Sequence, residues 1–397
     1  MESRKLSSVN GTAGPITRIR DLARILDVPI SDFRAALLLS EEERFRLLPD
    51  KKKADGTDRI VYNPDPLIRK IQRRFLTRIL SRPSAVKWPE FLFGSIPNHS
   101  FNGIDVSRDY VACAARHCGS KSLLKLDIKS FFENVHSDLV LEIFRGVFSY
   151  GDLVSRVLTR ICTHKGGLPQ GGIVSSYLAM LCLHDVEARV VERLRQKRLT
   201  YTRYVDDITV SSKSSNQDFD FSKRIIEEML LSKNLPLNYK KVLVSRVSTT
   251  ALTVHGLRVG FKEPRLPADE VKRIRASVKY LEILYVDGDY KYTSSYRKNF
   301  NKCMGRVNKL KRVGHSQHGQ LKSRIIRLMP KASRSDLARV FKISKRLQSD
   351  YLEKKDTFGF YKRFHILAER LNLVARTHPG IARLIRRRLR EIKPTFE

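Results

Sequence analysis

Three aspartates of the chain have the residue type and the spacing for divalent-metal chemistry. Asp206 and Asp207 are adjacent within YTRYVDDITV, residues 201–210, a stretch otherwise typical of a buried strand. Strands disfavour Asp and neighbouring carboxylates repel each other, so the pair is unexpected there. One interpretation is a two-residue hairpin turn, because Asp tolerates turn conformations. The other is a site for a divalent metal, because Mg²⁺ takes oxygen ligands.

A third carboxylate, Asp127, lies upstream in SLLKLDIKSFF, residues 122–132. Its apolar residues alternate with Lys125, Asp127 and Lys129, which predicts a strand with Asp127 on the face away from the core. An ordinary solvated face is the alternative interpretation. If the two strands are neighbours, three carboxylates can hold two Mg²⁺ ions about 4 Å apart, as phosphoryl-transfer enzymes do.

The charge balance predicts a polyanionic partner. The chain has 397 residues, with 77 Lys and Arg against 41 Asp and Glu, and a formal net charge of +36. Its length and its hydrophobic content of 41% are typical of a globular protein with two or three subdomains. Nucleic acid is the expected partner, with an anionic membrane surface as the second candidate. No apolar run is long enough to span a bilayer and the N-terminus is polar, so we expect no membrane attachment.

The cysteines predict neither disulfides nor a structural zinc site. There are five, they are scattered, and none forms a C-x-x-C pair, so we expect a reducing cytoplasmic location. Cys113, His117 and Cys118 lie close together in the sequence. Small buried thiols are a commoner explanation for such a group than a metal site.

Seven ordered blocks resemble the reverse transcriptases, particularly the bacterial enzymes of the retron and group II intron kind. They extend over roughly residues 45–330 and read KKKADGTDRI, IVYNPDPLIRKIQRRFL, LKLDIKSFFENV, LPQGG, RYVDD, LPLNYKKVLVS and VHGLRV. The resemblance implies an α+β fold of the right-hand polymerase type, with fingers, a palm with an antiparallel sheet and a helical thumb. It also implies an RNA-directed DNA polymerase that uses two Mg²⁺ ions and dNTPs.

The resemblance assigns a role to each matching residue. The metal ligands are Asp127, Ile128, Asp206 and Asp207, and Lys241 is the general acid for the leaving pyrophosphate, although its neighbour Lys240 leaves the register open by one residue. The nucleotide-binding residues are Lys52, Arg59, Phe132, Gln170 and Gly171. The primer and template contacts are Tyr204, His255 and Gly256.

Phe132 indicates which kind of nucleotide is incorporated into the product. An aromatic side chain five residues after the first catalytic Asp crowds the 2′ position of the sugar in this family, which favours deoxynucleotides. The neighbouring Phe131 is expected in the core. Simple alternatives exist for other residues: a solvated charged turn for Lys52 and Arg59, and a strand aromatic for Tyr204.

Four positions depart from the family pattern. Ser176 stands where Pro is usual, and Met180 where Asn is usual. Cys113 replaces the Asn of the retron Asn-Ala-x-x-His element, and His255 replaces the Thr of the retron Val-Thr-Gly element. The two altered retron elements argue against the retron group proper, and no stretch resembles the DNA-binding and Cys-rich endonuclease regions of group II intron proteins. The resemblance therefore favours a stand-alone enzyme of the defence-associated kind, related to retron and abortive-infection reverse transcriptases. Such enzymes act with a structured noncoding RNA and protect bacteria against phage.

Other functions remain open from the sequence. The same fold supports template-independent or protein-primed DNA synthesis, and a retron enzyme would make single-stranded DNA linked to RNA. An RNA-binding scaffold with a decayed site is a third hypothesis, and the three intact aspartates argue against it. The expected partners are RNA, the DNA product and dNTPs, with partner proteins or a homo-oligomer as further possibilities.

Four domains are predicted. They are an N-terminal helical extension (1–45), fingers and palm (46–261), a helical thumb (262–330) and a basic helical C-terminal extension (331–397). In residues 300–313, Phe300, Met304, Val307 and Leu310 recur at helical spacing. Residues 371–397 hold seven Lys and Arg against two acids, which predicts either phosphate contacts or a solvated charged helix.

Overall fold

A computed structural model describes most of the chain. The described residues are 10–11, 14–49, 56, 60–82, 85–101 and 104–396. Lys52 and Arg59, the two predicted triphosphate contacts, lie outside them. The chain forms two compact units, Met1–Pro264 and Arg265–Glu397.

The first unit is α+β. Its strands are β1 (Asn10–Gly11), β2 (Phe45–Leu48), β3 (Val61–Pro64), β4 (Val86–Lys87), β5 (Leu92–Phe93), β6 (His99–Phe101), β7 (Ile104–Val106), β8 (Ser122–Asp127), β9 (Thr200–Tyr204), β10 (Asp207–Ser212), β11 (Leu243–Arg246), β12 (Thr253–Val254) and β13 (Leu257–Arg258). Its α-helices are α1 (Ile19–Leu26), α2 (Ile30–Leu38), α3 (Glu41–Arg44), α4 (Pro66–Phe75), α5 (Tyr110–Ala115), α6 (Phe131–Asn134), α7 (Ser137–Glu142), α8 (Asp152–Cys162), α9 (Ser175–Leu181), α10 (Glu187–Gln196) and α11 (Asp220–Leu231).

A five-stranded sheet forms the centre of this unit. Its strand order is β11-β8-β10-β9-β5, and every pair is antiparallel except the short parallel pair of β5 with β9. One face is apolar: Leu124 and Leu126 of β8 and Ile208 and Val210 of β10 are buried there. Because side chains alternate along a strand, Asp127 and Asp207 belong to the opposite face. The predicted alternation is therefore confirmed for β8, which ends at Asp127, whereas Phe131 and Phe132 already belong to α6.

Helices cover the apolar face and join it in one continuous core. Helix α4 shows how the local sequence sets one of them. Asp65 caps its N-terminus by accepting from the Leu67 N–H, Pro66 occupies the first turn, and Ile68 and Ile71 are buried. The sequence LIRKIQRRFLTRILS, residues 67–81, has the pattern of one basic amphipathic helix. The α-helix ends earlier, at Phe75, and continues as a π-helical turn over Leu76–Leu80.

The second unit is helical, as the sequence predicts. Its helices are α12 (Ala268–Val286), α13 (Ser294–Arg312), α14 (His318–Ile326), α15 (Arg334–Lys354), α16 (Phe358–Val374) and α17 (Pro379–Glu391). Buried residues of α12 to α14 form one apolar core, and those of α15 to α17 form a second. In α13, Phe300, Val307 and Leu310 are buried and Met304 is partly buried, which confirms the predicted apolar stripe.

None of the helices in the described part of the chain combines the length and the apolar character needed to cross a bilayer.

Candidate active site

Asp206 and Asp207 lie at a hairpin tip. Val205 and Asp206 form the two-residue turn between β9 and β10, and Asp207 is the first residue of β10. Val205 has φ +59, a left-handed conformation that β-branched residues rarely adopt. The turn is held by main-chain contacts, since the Val205 N–H donates to the Phe93 carbonyl at 3.3 Å. The hairpin-turn interpretation is correct for Asp206, whereas Asp207 belongs to β10, and this arrangement is compatible with a metal site.

Asp127 is brought to the same edge of the sheet. Strands β8 and β10 pair in the register that sets Asp127 directly opposite Asp207. The Ile128 N–H donates to the Asp206 carbonyl at 3.1 Å, which fixes the end of β8 against the turn. Directly opposite residues of an antiparallel pair point to the same side, so their carboxylates share one face. Three aspartates from two segments far apart in sequence thus converge.

Negative charge is concentrated at this edge of the sheet, because three carboxylates lie close together. Partial removal of the Asp207 carboxyl from water, followed by the neighbouring charges of Asp206 and Asp127, raises its pKa to about 6. Lys241 counteracts this charge, with its Nζ 2.8 Å from Asp127 Oδ1. The hydrogen bond to Asp127 in turn raises the pKa of Lys241. Of the two neighbouring lysines, Lys241 is the one that contacts Asp127.

The Asp127 carboxylate is already hydrogen-bonded on both oxygens. Oδ1 accepts from Lys241, and Oδ2 accepts from Asn238 Nδ2 at 2.9 Å. Among the described residues, no three His, Cys, Asp or Glu side chains stand grouped as a complete set of metal ligands. That arrangement still fits Mg²⁺, which is commonly held by one or two carboxylates together with waters and substrate phosphates. The hard oxygen donors and their mutual repulsion both favour a divalent cation here.

The predicted nucleotide contacts lie on adjoining segments. The Leu168 N–H donates to the Phe132 carbonyl at 3.0 Å, and the Tyr62 N–H of β3 donates to the Gln170 carbonyl at 2.7 Å. Phe132 and Gln170 are partly buried, whereas Phe131 is buried in the core as expected. The loop 168–172 is therefore anchored both to the start of α6 and to β3.

The predicted primer contacts lie on the other side of the hairpin. His255 and Gly256, with φ of +48 and +78, form the turn between β12 and β13. The His255 ring lies 4.6 Å from the Tyr204 ring, and His255 Nδ1 lies 3.7 Å from Asp207 Oδ2. Burial, and to a smaller extent the charge of Lys125, lower the pKa of His255 to about 4. Tyr204 thus belongs to the hairpin that carries the aspartates, His255 adjoins Asp207, and Gly256 shares the turn of His255.

A comparison with known protein families identifies this arrangement. The family model described as "Reverse transcriptase (RNA-dependent DNA polymerase)" matches residues 51–281, more than half of the chain. The chain belongs to the reverse transcriptase family. Its activity is RNA-directed DNA polymerisation, and the predicted fold class is confirmed with it.

Curated relatives of this reverse transcriptase are retron enzymes. Retron Ec48 reverse transcriptase of Escherichia coli is 42% identical over 361 residues, which cover 90% of this chain and 88% of the relative. Retron Se72 reverse transcriptase of Salmonella heidelberg (strain 579083-10) is 26% identical over 393 residues, covering 97% and 98%. The departures at Cys113 and His255 therefore do not separate this chain from retron-type enzymes. The sequence-based expectation that they would do so is wrong.

Solved structures of telomerase are also similar. That from Candida albicans matches with a TM-score of 0.39 and 12% identity, over 88% of this chain and 66% of the telomerase chain.

A buried ion pair under the catalytic turn of this reverse transcriptase was missed from the sequence. Arg203 is fully buried and donates from Nε and Nη2 to the two carboxylate oxygens of Glu187, at 2.6 and 2.8 Å. Its Nη1 donates to the Val205 carbonyl at 3.2 Å, and its Nη2 to the Met180 carbonyl at 2.9 Å. Arg203 thereby ties the turn that carries Asp206 to α9 and α10. An arginine inside an otherwise apolar strand was the signal available in the sequence.

The group Cys113, His117 and Cys118 is not a metal site. Cys113 and His117 are fully buried, and both ring nitrogens of His117 are hydrogen-bonded, to Ser211 and Thr202. The Cys118 thiol contacts the Ala114 carbonyl instead. The interpretation as small buried thiols holds for Cys113.

Gly171 is required by the close approach of two backbones, and this yields a prediction. It has φ +106, and a Cβ there would lie 2.2 Å from the Tyr62 carbonyl oxygen. We expect Gly171→Ala to move loop 168–172 off β3 and to raise the KM for dNTPs more than tenfold. Each kcal/mol of lost binding free energy changes such a constant about fivefold. Steady-state primer extension over a range of dNTP concentrations measures this.

Gly166→Ala is the matched control for Gly171→Ala. Gly166 also has a positive φ, +76, but a Cβ there meets nothing within 4 Å. It shares the conformational strain without the collision. Equal effects of the two substitutions on the KM would contradict the role of the Tyr62 contact.

Proposed function

We propose that this reverse transcriptase copies an associated noncoding RNA into DNA with two Mg²⁺ ions, and that the product serves bacterial defence against phage. The observation that carries the metal mechanism is the convergence of Asp127, Asp206 and Asp207 at one sheet edge. The 42% identity to a retron reverse transcriptase supports the use of a structured RNA. It also favours, as a second candidate, DNA that stays linked to that RNA.

The proposed metal ligands are the three aspartates and the main chain of Ile128. When bound, the two ions activate the attacking 3′-oxygen and stabilise the leaving pyrophosphate. Asn238 and Lys241 hold the Asp127 carboxylate in place through their hydrogen bonds to its two oxygens. We assign Lys241 as the general acid, because its ammonium lies at the carboxylate beside which a triphosphate would be held.

The residues around the incoming nucleotide are proposed to select deoxyribose. Phe132, on α6 just after β8, is the proposed block to a 2′-hydroxyl, and Gln170 and Gly171 line the opposite side of the base pair. Lys52 and Arg59 are proposed to neutralise the triphosphate. A steric block acts on the wrong sugar while leaving the right one almost untouched.

Phe132→Ala tests the sugar selection. We expect it to raise ribonucleotide incorporation relative to deoxynucleotide incorporation by about 10- to 200-fold, the range for steric discrimination in a pocket. Competition between rNTP and dNTP in primer extension measures the ratio. Phe131→Leu is the control, because Phe131 is buried in the core and is expected to alter stability rather than the ratio. An unchanged ratio in Phe132→Ala would remove the proposed role.

Metal binding is expected to depend on pH through Asp207. Its pKa is raised to about 6, so protons compete with the metal below that pH. Apparent Mg²⁺ affinity should fall by up to about tenfold per pH unit as the pH drops below 6, because one proton is displaced. Mg²⁺ titrations of DNA synthesis between pH 5 and 8 measure this. A flat profile across that range would contradict it.

The basic helices of the second unit are the proposed RNA contacts. In α17 the apolar residues Ala382, Ile385 and Leu389 are buried, and the opposite face is exposed and carries Arg383, Arg386, Arg387, Arg388 and Arg390. An exposed arginine face of this kind suits a phosphate backbone. We propose the domain limits 1–45, 46–261, 262–330 and 331–397 for the extension, fingers and palm, thumb and C-terminal extension.

The experiment that tests the proposal is recovery of nucleic acids with the protein from its host. We expect a single RNA species and complementary DNA, and synthesis that requires Mg²⁺ and dNTPs. DNA whose electrophoretic mobility increases after RNase treatment supports the RNA-linked product. DNA released only by protease would instead indicate a protein primer, and DNA unrelated to any bound RNA would indicate template-independent synthesis.

A further inference from the structure

Two residues that depart from the retron pattern are in contact with each other. Cys113 lies within α5, and His255 is at the tip of the β12–β13 hairpin. Cys113 Sγ lies 3.4 Å from His255 Nε2, within hydrogen-bond distance for sulfur. A buried side chain of α5 thus meets a side chain from a hairpin turn 142 positions later in the chain.

The other side of the His255 ring faces the catalytic hairpin. Nδ1 lies 3.7 Å from Asp207 Oδ2, and the ring lies 4.6 Å from that of Tyr204. The His255 side chain is only 13% exposed, so its orientation is restricted by these neighbours. One ring nitrogen therefore meets the thiol, and the other faces the catalytic carboxylate.

A buried polar network fixes the thiol. Cys113 Sγ also lies 3.4 Å from Thr202 Oγ1 of β9, and that hydroxyl is 2.7 Å from His117 Nε2. His117 Nδ1 is in turn 2.7 Å from Ser211 Oγ of β10. Burial raises the pKa of Cys113 to about 12, so the thiol keeps its hydrogen. The thiol is thus held between Thr202 of β9 and the Nε2 side of the His255 ring.

We propose that Cys113 and His255 act as one positioning unit, in which the thiol holds the imidazole and the imidazole orients Asp207 and Tyr204. Imidazoles and carboxylates just outside a metal's ligands commonly fix the orientation of those ligands. The unit also joins the β12–β13 hairpin, where the primer is proposed to lie, to the strand that carries Asp207. The inference rests on the proposed role of Asp207 as a metal ligand.

The test is a double-mutant cycle with a readout that does not require turnover. Mn²⁺ binding is measured by electron paramagnetic resonance on Cys113→Ala, His255→Ala and the double variant, alongside kcat and KM for dNTP incorporation. We expect each single variant to weaken Mn²⁺ binding and to lower kcat about tenfold, with little change in KM. Because the two residues act together, the double variant should be no worse than His255→Ala.

Conservative variants and a control complete the design. Cys113→Ser keeps a hydroxyl donor and should recover most of the Mn²⁺ affinity. His255→Asn keeps an amide near the Nδ1 position but loses the contact to Cys113, so adding Cys113→Ala to it should have no further effect. Cys118→Ser is the matched cysteine control, since this thiol contacts only a helix carbonyl among the bonds described. If Cys113→Ala fails to fold, Cys113→Val replaces it with a side chain of similar volume.

The outcomes separate this inference from the proposed function. Single effects that multiply in the double variant, or Mn²⁺ affinities equal to wild type in folded variants, overturn the positioning unit while metal-dependent synthesis stands. A wild-type protein that neither binds Mn²⁺ nor incorporates dNTPs overturns the proposed metal mechanism itself.

Discussion

Asp206→Asn and Asp207→Asn are each expected to reduce kcat for DNA synthesis by about 10⁴-fold or more, the scale seen when a group essential to catalysis is removed. The substitution keeps the shape of the side chain and removes one negative charge from the edge shared with Asp127. The affinity of the two proposed divalent ions depends on that charge. Primer extension on the co-purified RNA measures the rate, and Mn²⁺ binding measures the loss of metal.

Asp138→Asn is the matched control for the aspartate variants. Asp138 is an exposed carboxylate in the first turn of α7, away from the sheet edge. Its replacement should leave kcat within twofold of wild type. Asp206→Asn or Asp207→Asn protein that still extends a primer at near wild-type rate would refute the metal site.

Glu187→Gln is expected to destabilise the protein by about 3–5 kcal/mol, the usual effect of leaving one partner of a buried ion pair without its counter-charge. Arg203 is 0% exposed and Glu187 side chain 3% exposed, so water cannot replace the lost partner. Tyr201 also donates to Glu187, and this bond weakens too. Urea denaturation of metal-free protein measures the change.

An exposed ion pair supplies the comparison for Glu187. Arg156 and Asp152 are paired with side chains 63% and 58% exposed, and Arg156→Met should alter stability by less than about 1 kcal/mol. If Glu187→Gln has an effect as small as Arg156→Met, the buried pair is not a determinant of stability.

A double variant separates stability from positioning. Glu187→Gln combined with Arg203→Met removes both charges and should recover part of the lost stability, because no buried charge remains unpaired. It also removes the bond from Arg203 to the Val205 carbonyl, so the catalytic turn stays loosened and kcat should remain low. Full recovery of kcat in the double variant would show that Arg203 acts only through stability.

The conformation of the catalytic turn illustrates what local sequence does not predict. Val205 at φ +59 opposes the ordinary preference of a β-branched residue. It is held there by contacts from elsewhere, among them the Phe93 carbonyl, the Arg203 guanidinium and Gly94, at which a Cβ would lie 2.7 Å from Val205 Cγ2. Turn propensity alone predicts that a turn exists near the two aspartates, but not its conformation.

The sequence by itself determined the family, the choice of three aspartates as candidate metal ligands, the strand that carries Asp127 and the helical character of the second unit. These follow from ordered motifs and from periods of two and 3.6 residues, which are properties of neighbouring positions. Only the tertiary structure decided that Lys241 meets Asp127, that Glu187 neutralises Arg203, and that Cys113 touches His255. Such contacts join segments distant in the chain, and their geometry depends on strand register and packing, which no local pattern records.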